Sequence, residues 1–276
     1  MCELDSGLVD NFHVVENEIL KFDRQGEFYL VLILKRRKDA KGAMPEGVNE
    51  DNRLIKHFFV YDVEYFRRKR DAIRQLCAQN GARAYILPQR RSCRRVLWAL
   101  HDKISETLRN GTENSHFDHL IRSCVAGTHD TEEKRYKRWV IDIDADDAET
   151  VEIAHRWCER IANGNNPPAQ TDRGAAWELA YDLAWRIRAA LVPETANACC
   201  EEEARVFMPK VSGEYSKSDI SLLDTPHGFH IVTPPFNRDE KALRRYLGGD
   251  FLPQKWIKPD AMALVYSLGG IGGGEK

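Results

Sequence analysis

The sequence has no long apolar run. Its longest, at residues 28–34, has the length of a β-strand, whereas a membrane-spanning helix needs roughly 18 consecutive apolar residues. We therefore expect no membrane partner. The first residues also lack the basic and then apolar pattern of a secretory signal. The seven cysteines are an odd number spread thinly over 276 residues, which favours a reducing compartment, so we expect a cytoplasmic protein.

Motifs of several nucleotide-binding and metal-binding classes are missing as well. Neither a Walker-type glycine loop nor a C-x-x-C pair occurs in the chain, so neither a P-loop nor a zinc knuckle is predicted. A zinc site formed by His155, Cys158, Cys199 and Cys200 is disfavoured, because adjacent cysteines rarely bind one ion together. Cysteine chemistry is not predicted either, since none of the cysteines lies in a recognisable catalytic setting.

Positive charge is concentrated in one segment of the chain. Residues 53–103 contain 13 Lys and Arg against 4 Asp and Glu, although the whole chain has a net charge of −2. Aromatic residues are interleaved with these cations, a composition that suits the phosphates and bases of a nucleic acid. A solvated helix face with core aromatics explains the same pattern, so nucleic-acid binding and a structural role both stay open.

Alternating strands and helices followed by a strand-rich end predict an α+β fold. The apolar periodicity predicts strands at residues 28–35, 55–61, 82–87, 137–144, 204–209, 219–223, 229–233 and 262–267. It predicts helices at residues 62–80, 92–110, 146–164 and 173–191. Gly81 and Gly111 are expected to end the first two helices, because a left-handed C-terminal residue is usually glycine.

Two aspartates lie on one strand, within the segment WVIDID. Side chains alternate between the faces of a strand, so Asp142 and Asp144 share one face while Ile141 and Ile143 share the other. Two carboxylates about 7 Å apart on a buried strand repel each other and lose hydration. A divalent cation resolves both problems, because Mg²⁺ and Mn²⁺ prefer hard oxygen ligands. A simpler alternative is that the later acids only cap the following helix.

A histidine follows on a predicted hairpin, in the segment SLLDTPHGFHIVT. The turn contains Thr225, His227 and Gly228, and His230 lies on the outgoing strand. Glycine beside a turn lets the backbone approach a ligand closely. The threonine and the two histidines offer hydrogen-bond donors to a phosphate group. The alternative is a hydrogen-bonded histidine on a half-buried hairpin with no ligand.

Together, the aspartate strand and the histidine hairpin resemble the catalytic core of the archaeo-eukaryotic primase superfamily. This superfamily includes small primase subunits, primase-polymerases and the polymerase modules of bacterial end-joining ligases. Its first two motifs are matched by Asp142, Asp144, Thr225, Gly228 and His230. The resemblance implies an N-terminal α/β module (1–130), with the basic stretch facing nucleic acid. This module packs on an RRM-like antiparallel or mixed sheet (131–276) to form one compact unit.

The resemblance also implies the remaining site residues. The third motif is a single aspartate at a strand edge, assigned to Asp260 with Asp250 as the alternative. His227 takes the place of a phosphate-contacting lysine of the end-joining polymerases. Arg90 and Arg91 are candidates for neutralising the phosphates, as are two lysines that follow the hairpin, Lys255 and Lys258.

The implied activity is metal-dependent nucleotidyl transfer. A 3′-hydroxyl attacks the α-phosphate of a nucleoside triphosphate and pyrophosphate leaves, with Mg²⁺ or Mn²⁺ held by Asp142, Asp144 and Asp260. The implied partners are nucleoside triphosphates, a DNA or RNA template or primer, and a replication helicase or other replication proteins. Two alternatives stay open: a catalytically inactive relative that binds nucleic acid or acts as a scaffold, and a metal-dependent nuclease.

Overall fold

The structure is a computed structural model, and it describes ten segments of the chain. These are residues 8–22, 25–36, 53–111, 120–121, 123–125, 137–161, 171–191, 219–239, 253–259 and 261–268. Within them the protein forms two antiparallel sheets and a set of helices. The predicted α+β class is thus confirmed, while the predicted strand at residues 204–209 lies outside the described residues.

The first sheet has five strands in the order β1-β9-β4-β2-β3. Its pairings are all antiparallel. The strands are β1 (Val9–Asp10), β2 (Glu27–Lys35), β3 (Arg53–Val60), β4 (Arg83–Ser92) and β9 (Ala263–Ser267). The sequence predicts the four longer strands of this sheet by their β-branched and aromatic runs. The short strand β1 has no such run.

The second sheet has four strands in the order β6-β7-β5-β8 and is also antiparallel. The strands are β5 (Trp139–Asp144), β6 (Ser221–Thr225), β7 (Gly228–Thr233) and β8 (Ile257–Lys258). Strands β6 and β7 form the predicted hairpin, joined by Pro226 and His227. Strand β5 is therefore flanked by β7 on one side and by β8 on the other.

The four long helices begin and end close to the predicted positions, whereas three short helical segments were not predicted. The helices are α1 (Phe12–Val14), which continues as a π-helical stretch (Val15–Ile19), α2 (Val63–Asn80), α3 (Cys93–Asn110), α4 (Ala148–Ile161) and α5 (Asp172–Leu191), with a 3₁₀ turn at Gln254–Trp256. Asp62 caps α2 by accepting a hydrogen bond from the backbone N–H of Tyr65. Gly81 and Gly111 end α2 and α3 with φ of 55° and 62°, as predicted.

The two faces of β5 pack against different partners. Ile141 and Ile143 lie in the core shared with α4 and α5, which cover one face of the second sheet. Val140 lies on the other face, in the core that also contains Val31, Ile86 and further residues of the first sheet. The second sheet is thus enclosed between two helices and the first sheet.

The last strand of the chain belongs to the first sheet. Strand β9 pairs with both β1 and β4, although it lies beyond residue 131. The predicted division into residues 1–130 and 131–276 therefore does not coincide with membership of the two sheets. Local sequence patterns predict individual strands, whereas the pairing of β9 with β4 joins segments about 180 residues apart. The consequence for function is that β9 brings the first sheet against the hairpin of the second.

A candidate cleft between the two sheets

The register of the second sheet places three polar side chains on one face. Asp142 of β5 is directly opposite His230 of β7. On the other side of β5, Lys258 of β8 is opposite Val140. Because side chains alternate along a strand, Val140 and Asp142 share a face, and their cross-strand partners share it with them. An acid is therefore flanked by a basic residue from each neighbouring strand.

The side chains on this face change from apolar to polar along the strands. At one end the paired residues Val140 and Val232 pack into the core of the first sheet. At the other end the sheets leave a cavity of about 110 Å³, whose walls come from both of them. The residues that line it are Arg36, Arg83, Tyr85, Asp142, Asp144, Thr225, Pro226, His227, His230 and Leu264. We call this cavity the cleft. The structure thus brings Asp142, Asp144 and the hairpin histidines His227 and His230 together at one cavity.

Asp142 interacts through both of its carboxylate oxygens. Oδ1 lies 3.4 Å from Nε2 of His230, and Oδ2 accepts a hydrogen bond from the ammonium of Lys258. Burial raises the pKa of this carboxyl, but the hydrogen bonds from His230 and Lys258 outweigh burial and hold the pKa well below its usual range. The cleft therefore contains a carboxylate that stays ionised far into the acid range.

His230 is held in one orientation by strand β9. The backbone N–H of Leu264 donates to Nδ1 of the imidazole over 3.3 Å. This nitrogen then has no proton, so the neutral ring carries its proton on Nε2, the atom that faces Asp142. The side chain of His230 is only 12% exposed. The histidine thus presents a fixed N–H donor at the cleft, and the ammonium of Lys258 lies on the other side of Asp142.

The turn of the hairpin is tied to the end of β5. The backbone N–H of Ala145 donates to the carbonyl of His227 over 2.6 Å, and Nδ1 of His227 contacts the carboxylate of Asp146. At Gly228 an added Cβ would lie 1.9 Å from the carbonyl oxygen of Ile143. Gly228 was predicted to let the backbone approach a ligand. In the structure it allows a close approach of two strands instead, and it does not line the cleft.

Two residues that lie outside the hairpin, Asn11 and Arg173, form hydrogen bonds to its backbone. Nδ2 of Asn11 donates to the carbonyl oxygens of Asp224 and Leu264, over 2.8 Å and 3.0 Å, and its Oδ1 accepts from the N–H of Asp224 over 3.2 Å. Arg173, near the start of α5, donates to the carbonyl of Thr225 over 3.1 Å. Asn11 thus links β6 to β9, which positions the hairpin against the first sheet. Neither residue was singled out in the sequence.

The arginines of the cleft differ from those predicted. Arg90 and Arg91 are 6% and 1% exposed and do not line the cleft. Arg90 instead donates to the carboxylate of Glu27 over 3.0 Å inside the protein. Arg83 and Arg36 line the cleft in their place. Strand alternation in the predicted strand at 82–87 places Arg83 and Tyr85 on one face, which is the signal that the sequence offered for them.

The basic segment does not form one uninterrupted cationic surface. On α2, Arg67 and Arg70 both pair with Glu16, at 2.7 Å and 3.6 Å, and Arg74 pairs with Asp10. These ion pairs join α2 to the N-terminal segment. Binding of a nucleic acid along the basic segment stays a prediction. The paired arginines of α2 also have a structural role, because they hold α2 against the N-terminal segment.

The donor set for a metal ion is incomplete in the described residues. Asp260 and Asp250, the two candidates for the third aspartate, lie outside them. Within the described segments, no three His, Cys, Asp or Glu side chains are grouped to hold a metal ion. Asp142 and Asp144 fit the oxygen chemistry of Mg²⁺ or Mn²⁺, since both line the cleft and Asp142 is already in contact with a cationic group. We conclude that these two residues are compatible with a divalent cation.

The zinc site considered for His155, Cys158, Cys199 and Cys200 gains no support from the described residues. Nε2 of His155 lies 2.9 Å from Asp172, and Cys158 is buried with its pKa raised by burial. Cys199 and Cys200 lie outside the described residues.

No family model, no curated protein and no solved structure matches the chain. The resemblance to the primase superfamily therefore depends on the motif residues alone. None of the helices in the described segments combines the length and the apolar character needed to cross a membrane.

Proposed function

We propose that the cleft binds a nucleoside triphosphate together with Mg²⁺ or Mn²⁺, and that the protein is a nucleotidyltransferase resembling a primase-polymerase. The observation that supports this most is the charge arrangement of the cleft. Asp142 and Asp144 come from the second sheet, whereas Arg83 begins β4 of the first sheet and Arg36 directly follows its strand β2. A ligand with both anionic groups and a bound cation complements such a site.

Each side chain has a separate proposed task. Asp142 and Asp144 hold the cation, which supplies Lewis-acid stabilisation of the attacking and leaving oxygens when bound. His230, whose Nδ1 is already occupied by Leu264, shares its Nε2–H between Asp142 and a phosphate oxygen. Arg36 and Arg83 neutralise phosphate charge. Thr225 and His227, which also line the cleft, are further donors.

The test is a primer-extension and de novo synthesis assay with Mn²⁺ and labelled nucleic acid. The wild-type protein is expected to incorporate nucleotides. The double substitution Asp142→Asn, Asp144→Asn is expected to lower the rate about 1,000-fold or more, because metal-ion catalysis contributes several kcal/mol to the transition state. Substrate that shortens rather than lengthens in the same assay would identify the nuclease alternative.

A matched control is Asp71→Asn on α2. Its carboxylate is 95% exposed and pairs only loosely with Arg74, at 3.5 Å, so it removes one acid without touching the cleft. Incorporation by this variant is expected to equal that of the wild type. If the double variant retains wild-type incorporation as well, the cleft is not the catalytic site and the proposal is wrong.

One observation favours a second candidate function, a nucleic-acid-binding protein without catalysis. Both oxygens of Asp142 already have partners, His230 and Lys258, so the carboxylate is neutralised without a metal ion. Such a protein is expected to bind DNA or RNA in a salt-dependent way. Binding that survives Asp142→Ala and Asp144→Ala, with no incorporation by the wild type, would select this function.

A further inference from the structure

Lys258 occupies a position that matters for cation binding. It is the second residue of the two-residue strand β8, and its ammonium contacts Oδ2 of Asp142. Asp142 is 31% exposed and the lysine side chain is 46% exposed. The pair therefore lies at the rim of the cleft, where the ammonium has access to water.

We propose that Lys258 is a displaceable internal counter-ion that occupies the cation position on Asp142. This inference rests on the proposed function, because it assigns a role toward the cation of that site. A divalent cation and an ammonium repel each other and compete for the same carboxylate oxygen. Cation binding at Asp142 therefore requires that the ammonium of Lys258 leaves this carboxylate. Without a cation, Lys258 neutralises the charge of Asp142.

The contrast with His230 shows why Lys258 is the group that moves. His230 is 12% exposed and is fixed on its far side by the backbone of β9. Lys258 has a flexible four-carbon stem, and in the described part of the chain its ammonium contacts no carboxylate other than that of Asp142. Leaving the carboxylate thus costs Lys258 one half-exposed ion pair, which is a weak interaction. Leu264 and His230 keep their positions meanwhile.

The structure also provides a matched control. Lys255 lies three residues earlier, in the 3₁₀ turn, with its side chain 52% exposed. It pairs with Asp147 and Glu149 rather than with Asp142. Lys255→Met and Lys258→Met therefore remove the same charge from the same segment, at nearly equal exposure, and only one of them frees the Asp142 oxygen.

The experiment is a Mn²⁺ titration followed by electron paramagnetic resonance, with no nucleotide present. We expect Lys258→Met to lower the Kd for Mn²⁺ about fivefold, the change that removal of one competing surface ion pair produces. Lys255→Met is expected to leave the Kd within about twofold of wild type. Lys258→Arg, which keeps the charge and holds carboxylates well, is expected to bind Mn²⁺ no more tightly than wild type. Adding Asp142→Asn to Lys258→Met is expected to abolish the gain.

The outcomes separate this inference from the proposed function. Saturable binding that requires Asp142 but has the same Kd in wild type and Lys258→Met overturns the inference and leaves the proposed function standing. Equal gains in Lys255→Met and Lys258→Met also overturn it, since the effect is then general electrostatics. Absence of saturable Mn²⁺ binding in every variant overturns both. The circular dichroism melting curve of each metal-free variant verifies folding, and Lys258→Arg provides the second test if Lys258→Met is unfolded.

Discussion

The two ends of strand β4 each carry a buried arginine, and the two arginines have different partners. Arg83 begins the strand and lines the cleft together with Arg36 of the neighbouring chain segment. Seven residues further on, Arg90 is buried and donates to Glu27 and to the carbonyl of Lys21, over 3.0 Å and 2.7 Å. Both side chains are buried, at 8% exposed for Arg83 and 6% for Arg90, but Arg83 lines a candidate binding site whereas Arg90 pairs with an acid of the protein itself.

The difference shows what positive charge in a sequence does and does not predict. A guanidinium can neutralise a ligand phosphate or satisfy a buried carboxylate, and both uses require a nearby anion. Which anion is nearby depends on the register of β4 with β2, where Arg83 is opposite Leu34 and Ser92 is opposite Glu27. The clustering of charged residues in the sequence therefore does not predict which anion each arginine meets.

The largest expected effect lies at Arg90. Arg90→Met leaves the carboxylate of Glu27, which is 8% exposed, without this guanidinium inside the protein. Removing one partner of a buried ion pair typically costs about 3–5 kcal/mol, so we expect the free energy of unfolding to fall by about that amount in urea denaturation.

A double substitution sharpens this test. Arg90→Met combined with Glu27→Met replaces the pair by apolar side chains, and it is expected to recover most of the lost stability. If Arg90→Met alone leaves stability unchanged but weakens triphosphate binding, Arg90 belongs with the cleft arginines and the comparison fails.

A smaller effect on stability is expected when Arg36, which lines the cleft, is replaced. Arg36 lies over the ring of Tyr85, 5.7 Å from its centroid, and we expect Arg36→Met to change stability by less than about 1 kcal/mol. The same change is expected to weaken binding of inorganic triphosphate with Mn²⁺ about tenfold in calorimetry, because a charge-assisted hydrogen bond is lost. Arg67→Met is the control, since Arg67 pairs with Glu16 outside the cleft. Equal losses in both variants would mean that binding responds only to net charge.

Much of the candidate site is predictable from the sequence because it depends on local rules. Strand alternation places Asp142 and Asp144 on one face, and the turn residues predict the hairpin that presents His230. The capping of α4 is local too: Asp147 accepts a hydrogen bond from the N–H of Thr150 over 3.1 Å.

The rest depends on contacts between distant parts of the chain. Asn11 reaches Asp224 and Leu264 across more than 200 residues of sequence. Lys258 meets Asp142 only because the two-residue strand β8 pairs with β5. Such short strands have no periodicity to detect. The sequence therefore indicates which residues have suitable chemistry, while long-range strand pairing determines which of them meet.

The smallest effect concerns the pH dependence of stability. An unfolded aspartate has a pKa of about 3.9, and His230 and Lys258 lower the pKa of Asp142 in the folded protein. A lowered folded pKa adds stability above the unfolded pKa, and this contribution is lost as the pH falls toward the folded pKa. We expect wild type to exceed Asp142→Asn by about 1 kcal/mol near pH 7, with the difference shrinking below about pH 4. Urea denaturation at a series of pH values measures it, with Asp71→Asn as the control. A difference that grows as the pH falls would show that burial, rather than the two basic partners, dominates at Asp142.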